Sequence, residues 1–157
     1  MVEPYKVPVT NNATGATTWV PDPKGTFKTY WKPEMLAATF EQLILRGIDA
    51  QVHCDGDLAV RVGLDAVEAF VRRHPDKKDY RVGLAHDEVS HPDDWPRFNQ
   101  LGVDAIVSFQ WAAPFGGNGT SDFRSSMGDE RMQRLQAFGD IAKFGRPVVY
   151  GSDWPVF

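Results

Sequence analysis

Short apolar runs alternate with helical patterns along most of this chain, and this alternation restricts the fold more than any other feature. The runs have the length and apolar content of buried strands, and a helical pattern precedes each of them. They lie at residues 48–53, 80–86, 103–110 and 147–150. Strands that are joined through helices by short connections form right-handed βαβ units. The sequence therefore predicts an α/β fold with four parallel strands.

The junction between helix and strand has the same form twice. Gly47-Ile48-Asp49-Ala50 and Gly102-Val103-Asp104-Ala105 each end a helical pattern at a glycine and begin a strand. The last helix is predicted from about Asp129 to Gly145, with apolar residues at helical spacing. Residues 1–31 are rich in Pro, Thr, Asn and Gly and have no sustained period, so we predict a long loop there.

Length and composition are those of one globular domain. The chain has 157 residues, one cysteine and a net charge of -4, so we expect a single domain that does not bind nucleic acid and has no internal disulfide. No apolar run is long enough to cross a membrane, and the N-terminus lacks the pattern of a signal peptide. We expect a cytoplasmic protein without a membrane partner.

Residues that can bind a metal stand at the ends of three predicted strands. His53 and His86 end the first two strands, and Asp153 follows the last one. Because the carboxyl ends of parallel strands share one edge of the sheet, these side chains should converge there. Two imidazoles and one carboxylate suit a divalent metal, and zinc is the expected ion. Such a metal lowers the pKa of bound water, and Asp153 is the expected general base.

Structural explanations remain open for individual residues. A histidine at a strand end is commonly a hydrogen-bonded polar residue rather than a ligand, and only the coincidence of three strand ends favours a site. His74 and His91 lie at a helix end and in a polar turn, where a structural role is expected. The side chain of Cys54 should point away from that of His53, so we expect it to pack in the core.

Three segments resemble YtcJ-like members of the amidohydrolase superfamily. They are His53-Cys54-Asp55-Gly56-Asp57, Ala85-His86 and, most specifically, Gly151-Ser152-Asp153-Trp154-Pro155-Val156. The resemblance implies a TIM barrel of which this chain supplies strands five to eight, with one or two divalent metals. It also implies a hydrolase that acts on an amide or related C–N bond of a small molecule.

The resemblance further implies roles for single residues. His53 and His86 would be metal ligands from strands five and six, and Asp153 the ligand and general base from strand eight. Arg131 would orient the substrate or a loop. Apart from the resemblance, the aromatic residue type makes Trp111, Phe115 and Trp154 candidates for the rim of the site, and Trp154 is a further substrate candidate.

The family's strand-one His-x-His pair has no counterpart in this chain, and Ala85 stands where the family has a glutamate. We therefore expect the C-terminal half of a barrel, either as a fragment of a longer enzyme or self-associating through its exposed edges. The alternative is a non-catalytic or regulatory remnant of the fold without a complete metal site. A third possibility, an unrelated open α/β binding domain, predicts that the three side chains do not converge.

Overall fold

The computed structural model describes residues 6–25, 29–109 and 125–154. It begins with an antiparallel hairpin of strands β1 (Lys6–Thr10) and β2 (Thr17–Pro21). The prediction of a long loop over residues 1–31 is therefore wrong for this part of the segment. The turn at Asn11 explains the hairpin, because the Asn11 side chain accepts a hydrogen bond from the backbone N–H of Ala13 at 2.9 Å.

The main sheet contains four parallel strands in the order β3-β4-β5-β6. Their bounds are Ala50–Cys54 for β3, Val82–His86 for β4, Asp104–Val107 for β5 and Val149–Tyr150 for β6. Sequential strands are neighbours, as right-handed βαβ units require. The predicted α/β fold with parallel βα units is confirmed, and the sheet is consistent with part of a TIM barrel.

Helices connect the strands, and none within the described ranges is long and apolar enough to span a membrane. Their bounds are Pro33–Ile44 for α1, Asp57–Arg73 for α2, Trp95–Leu101 for α3, Asp129–Met132 for α4 and Phe138–Ala142 for α5, with a 3-10 turn at Pro92–Asp94. The prediction of one helix from Asp129 to Gly145 is wrong. Gln136 interrupts it with a φ of 58°, and its N–H donates to the carbonyl of Glu88 at 2.7 Å.

The helices cover one face of this sheet. Val52, Leu84 and Ala105 stand side by side in the register and belong to the core that the helices bury. On the opposite face Gln51 and His53 are exposed, and no described helix covers them. Parallel sheets are normally covered on both faces.

Gly83 in β4 lies under Ile106 of β5, and the contact leaves no room for a side chain. A Cβ at Gly83 would come 2.3 Å from Cδ1 and 3.1 Å from Cγ1 of Ile106. We expect Gly83→Ala to lower the free energy of unfolding by about 1–3 kcal/mol, measured by urea denaturation. Gly139→Ala is the matched control because nothing lies within 4 Å of its Cβ position. It should be neutral or slightly stabilising in a helix, and an equal loss in both variants would contradict the packing argument.

Candidate metal centre

The two histidines meet because the backbone turns at the end of β4. In the register His86 pairs with Cys54, and Ala85 pairs with His53, so regular alternation would place the histidines on opposite faces. His86 instead has a φ of 79°. Its Nε2 lies 2.9 Å from Nδ1 of His53, and the ring centroids are 4.6 Å apart at 56°. His53 is exposed and His86 is buried.

Asp153 reaches the histidine pair from the end of β6. Its Oδ1 lies 3.7 Å from Nε2 of His86. Two hydrogen bonds to Gly151 hold the chain just before it: the Gly151 N–H donates to the carbonyl of Val107 at 2.9 Å, and its carbonyl accepts from the Ser108 hydroxyl at 2.8 Å. The structure thus brings the three predicted side chains together, which an unrelated open α/β binding domain does not predict.

Left-handed backbone conformations concentrate around this site. Among the described residues other than glycine, four have a positive φ: His86, Asp87, Gln136 and Asp153. Two of them are candidate ligands, one follows a candidate ligand directly, and Gln136 is bonded to the backbone of Glu88 in the same turn. Each such conformation costs about 1–3 kcal/mol and persists where the surroundings impose it. Their clustering indicates that the fold holds the backbone at this site in unfavourable conformations, at a cost in folding stability.

Two of the three donor-atom separations meet the limit for one metal ion, and all three donor atoms lie within 4.8 Å of one another. Zinc binds imidazole nitrogen at about 2.0–2.1 Å, so two ligand atoms of one ion lie at most about 4.2 Å apart. The separations of His53 from His86 and of His86 from Asp153, 2.9 and 3.7 Å, meet this limit. Nδ1 of His86 is buried without a hydrogen-bond partner among the described residues. Nδ1 of His53 and Nε2 of His86 approach each other at 2.9 Å. A cation would satisfy the lone pairs of both nitrogens, whereas a hydrogen bond between them uses only one lone pair.

Two carboxyl groups follow His86 directly in the chain, and the pKa of each is raised. Asp87 is completely buried, and neither of its carboxyl oxygens has a partner among the described residues. Burial raises the pKa of Asp87 well above its usual range, and the charge of Asp55 adds to the effect. Burial also raises the pKa of Glu88, with further contributions from Asp55 and Asp153. A cation bound nearby would favour the charged forms of these carboxyl groups.

Sequence reasoning did not select Asp87 and Glu88 as site residues. They lie in the polar turn directly after His86, and this adjacency was the one available signal. The turn lies against the site because the N–H of Val89 donates to the carbonyl of Asp55 at 3.1 Å. Hydrogen bonds of this kind join residues that are distant in sequence, so the pattern of residue types does not reveal them.

The structural roles expected of three other residues are confirmed. Cys54 is buried and its thiol donates to the carbonyl of Ala59 at 3.5 Å, while burial raises the pKa of the thiol. Nε2 of His74 lies 2.5 Å from Oε1 of Glu41. His91 accepts a hydrogen bond from the backbone N–H of Asp93 at 3.3 Å.

The substrate candidates lie in different surroundings. Arg131 is buried, and its Nε donates to the carbonyl of Met127 at 2.9 Å. Trp154 is 80% exposed and follows Asp153 directly. Trp111 and Phe115 lie outside the described residues. The predicted roles of Arg131 and Trp154 in substrate binding stay predictions.

Residues 3–157 match the sequence pattern of the amidohydrolase family. In three dimensions the chain resembles an uncharacterised metal-dependent hydrolase from Pyrococcus furiosus, with a TM-score of 0.66 and 19% identity over 98% of this chain and 27% of the other. The chain also resembles a second uncharacterised metal-dependent hydrolase, from Pyrococcus horikoshii OT3, with a TM-score of 0.65 and 23% sequence identity. This match covers 86% of our chain and 25% of the other. The chain spans about a quarter of these two structures. No curated protein matches it significantly.

Proposed function

We propose, since the chain belongs to the amidohydrolase family, that it is the C-terminal half of a metal-dependent hydrolase barrel that cleaves an amide or related C–N bond of a small molecule. The observation that carries the proposal is the approach of His53, His86 and Asp153, with donor atoms 2.9 and 3.7 Å apart at one edge of a parallel sheet. The YtcJ-like subtype is part of the same proposal.

The ligand set favours zinc. Two imidazole nitrogens and one carboxylate oxygen are donors that zinc accepts in catalytic sites, where a further position stays open to water or substrate. When bound, the ion would supply a Lewis acid that polarises the substrate carbonyl and makes water more acidic. In our proposal His53 and His86 contribute neutral imidazoles, so the negative charge of the ligand set comes from Asp153.

Asp153 is the proposed general base. Its carboxylate is partly exposed and lies beside the histidine pair, so it can reach both the proposed ion and solvent. A carboxylate in this place can take a proton from the attacking water and return it to the departing nitrogen. The exposed Trp154 next to it would contact an apolar part of the substrate. Arg131 would orient the substrate or a neighbouring loop.

The rest of the barrel is also part of the proposal. Among the described residues, the sheet face with Gln51 and His53 and the outer edges of β3 and β6 are not covered, and strands one to four of a barrel would cover them. Those strands would bring the remaining ligands. Self-association through the same edges stays a prediction.

Hydrolysis by the metal-loaded chain, with and without the carboxylate of Asp153, tests this proposal. We expect zinc-dependent release of arylamine from N-acyl or N-formyl arylamides, and Asp153→Asn should lower kcat/KM by about 10²–10⁴-fold because the proton acceptor is lost. Asp140→Asn is the control, because Asp140 lies on α5 and pairs with Lys143 at 2.6 Å. Binding of zinc without hydrolysis of any of these arylamides would contradict activity of this chain alone, whereas no binding of zinc would contradict the metal site itself.

A further inference from the structure

A polar concavity lies at the end of the sheet opposite to the histidines. Its volume is about 310 Å³, and it is lined by residues that precede three neighbouring strands. Lys77 and Lys78 precede β4, Gly102 precedes β5, and Arg146 precedes β6. The concavity therefore lies at the amino ends of the strands, whereas the candidate metal centre lies at their carboxyl ends. Its volume is at the lower end of the range for small-molecule sites.

Arg146 directs one nitrogen toward this concavity. Its Nε and Nη2 both donate to Oδ1 of Asp104, at 2.9 and 2.5 Å. Nη1 has no hydrogen-bond partner among the described residues, and it lies 3.9 Å from the Cβ position of Gly102. Gly102 has a φ of 66° and no side chain, so nothing on that residue blocks Nη1. The pairing with Asp104 holds the guanidinium plane while both N–H bonds of Nη1 remain available.

Lys77 and Lys78 also line the concavity and add positive charge to it. Lys77 is half-buried and Lys78 is exposed, and neither forms an ion pair within the part of the chain that the structure describes. Asp76 and Asp79 flank them in sequence but do not line the concavity. The hydroxyl of Tyr80 donates to the carbonyl of Leu101 and is thus already used. The charged residues that line the concavity are thus all cations, beside the side-chain amides of Asn99 and Gln100.

A simpler explanation accounts for part of this arrangement. Cations near a helix C-terminus interact favourably with the helix dipole, and α2 ends at Arg73, close to the lysines. The dipole explains the sign of the charges. It does not explain why Arg146, which belongs to a different loop, lines the same concavity as the two lysines. A shared anionic ligand would explain both.

We infer that this concavity binds a phosphate group. Lys77 and Lys78 line it from the loop before β4 and Arg146 lines it from the loop before β6, and a tetrahedral oxyanion offers an acceptor oxygen to each of them. The bound group would join the loops that precede β4 and β6. The inference is independent of the proposed hydrolase activity because it uses residues at the other end of the sheet.

Calorimetric titration and thermal unfolding of the full chain test this inference, after dialysis has removed metal ions. Inorganic phosphate, ethyl phosphate and succinate are compared with chloride at constant ionic strength. We expect phosphate to bind and to raise the unfolding midpoint. Lys77→Gln/Lys78→Gln should weaken phosphate binding at least about tenfold, because each lysine supplies a charge-assisted hydrogen bond. Lys24→Gln/Lys143→Gln removes the same charge elsewhere and should bind like the wild type.

The outcomes separate the inference from general charge effects. No binding of phosphate by the wild type, or equal weakening in both double variants, would overturn it, and so would tighter binding of succinate. Ethyl phosphate that binds as tightly as phosphate supports a phosphomonoester as ligand, whereas weaker binding supports the free anion. Arg146→Lys keeps the charge but loses the fork that holds Asp104, and it should weaken phosphate binding without abolishing it.

Discussion

Zinc added to the metal-free chain should raise the midpoint of thermal unfolding by about 5–10 °C, and His86→Ala should abolish this rise. A ligand at about 100 times its Kd stabilises the folded state by about 2.7 kcal/mol, which corresponds to a few degrees per kcal/mol in a chain of this size. His86 is central because it is the residue whose Nε2 approaches both His53, at 2.9 Å, and Asp153, at 3.7 Å. Differential scanning fluorimetry with a zinc titration measures the effect.

The other two candidate ligands and one remote histidine complete this test. His53→Ala and Asp153→Ala should also lose the zinc-dependent rise, since each removes one of three donors. His91→Ala is the matched control, because His91 bonds within its own turn at Asp93. It should keep the full rise. An unchanged midpoint for the wild type, or an equal rise in the His86 variant, would contradict the assignment of the metal centre.

Asp87→Asn should stabilise the metal-free chain at neutral pH. Asp87 is completely buried, and neither carboxyl oxygen has a hydrogen-bond partner among the described residues. A buried carboxyl without a partner must either remain charged in an apolar environment or bind a proton that the unfolded chain has released. Asparagine has nearly the same shape and carries no charge, so the variant avoids this cost.

The pH dependence of stability identifies the cause. Burial, followed by the charge of Asp55, raises the pKa of Asp87 well above its usual range. Between the unfolded pKa, about 4, and the raised folded pKa, the folded state binds more protons than the unfolded state. The stability of the wild type should therefore fall as pH rises through this window, relative to Asp87→Asn. The two proteins should be equally stable near pH 4 and differ increasingly toward neutral pH.

Urea denaturation at several pH values measures this difference. Asp76→Asn is the matched control, because Asp76 is exposed and has no described ion pair. It should follow the wild type at each pH. A destabilised Asp87→Asn variant at pH 7 would show that the carboxylate has a favourable partner and would contradict the prediction.

Much of the architecture could be predicted from the sequence because each element carries its own local signal. The apolar runs at 48–53 and 80–86 correspond to β3 and β4, and Pro33 does begin α1. Local signals failed where distant contacts decide the conformation. The hairpin of β1 and β2 depends on pairing across a turn, and the interruption at Gln136 depends on a hydrogen bond to Glu88.

The candidate site shows the same division. The sequence identified His53, His86 and Asp153 because a histidine or aspartate at the end of a parallel strand must lie at one edge of the sheet. It could not show that His86 turns toward His53, since strand alternation predicts the opposite face. Nor could it show that Asp87 is buried without a described partner.

By itself, then, the sequence determined the order of the βα units and the chemical identity of the residues at the strand ends, because both follow from short-range periodicity and from the common direction of parallel strands. Only the tertiary structure decided where those side chains point. The φ of 79° at His86 and of 55° at Asp153 are conformations that a short peptide does not favour, and the packed loops after β3, β4 and β6 impose them. The position of Nη1 of Arg146 was decided in the same way, by its pairing with Asp104 across the sheet.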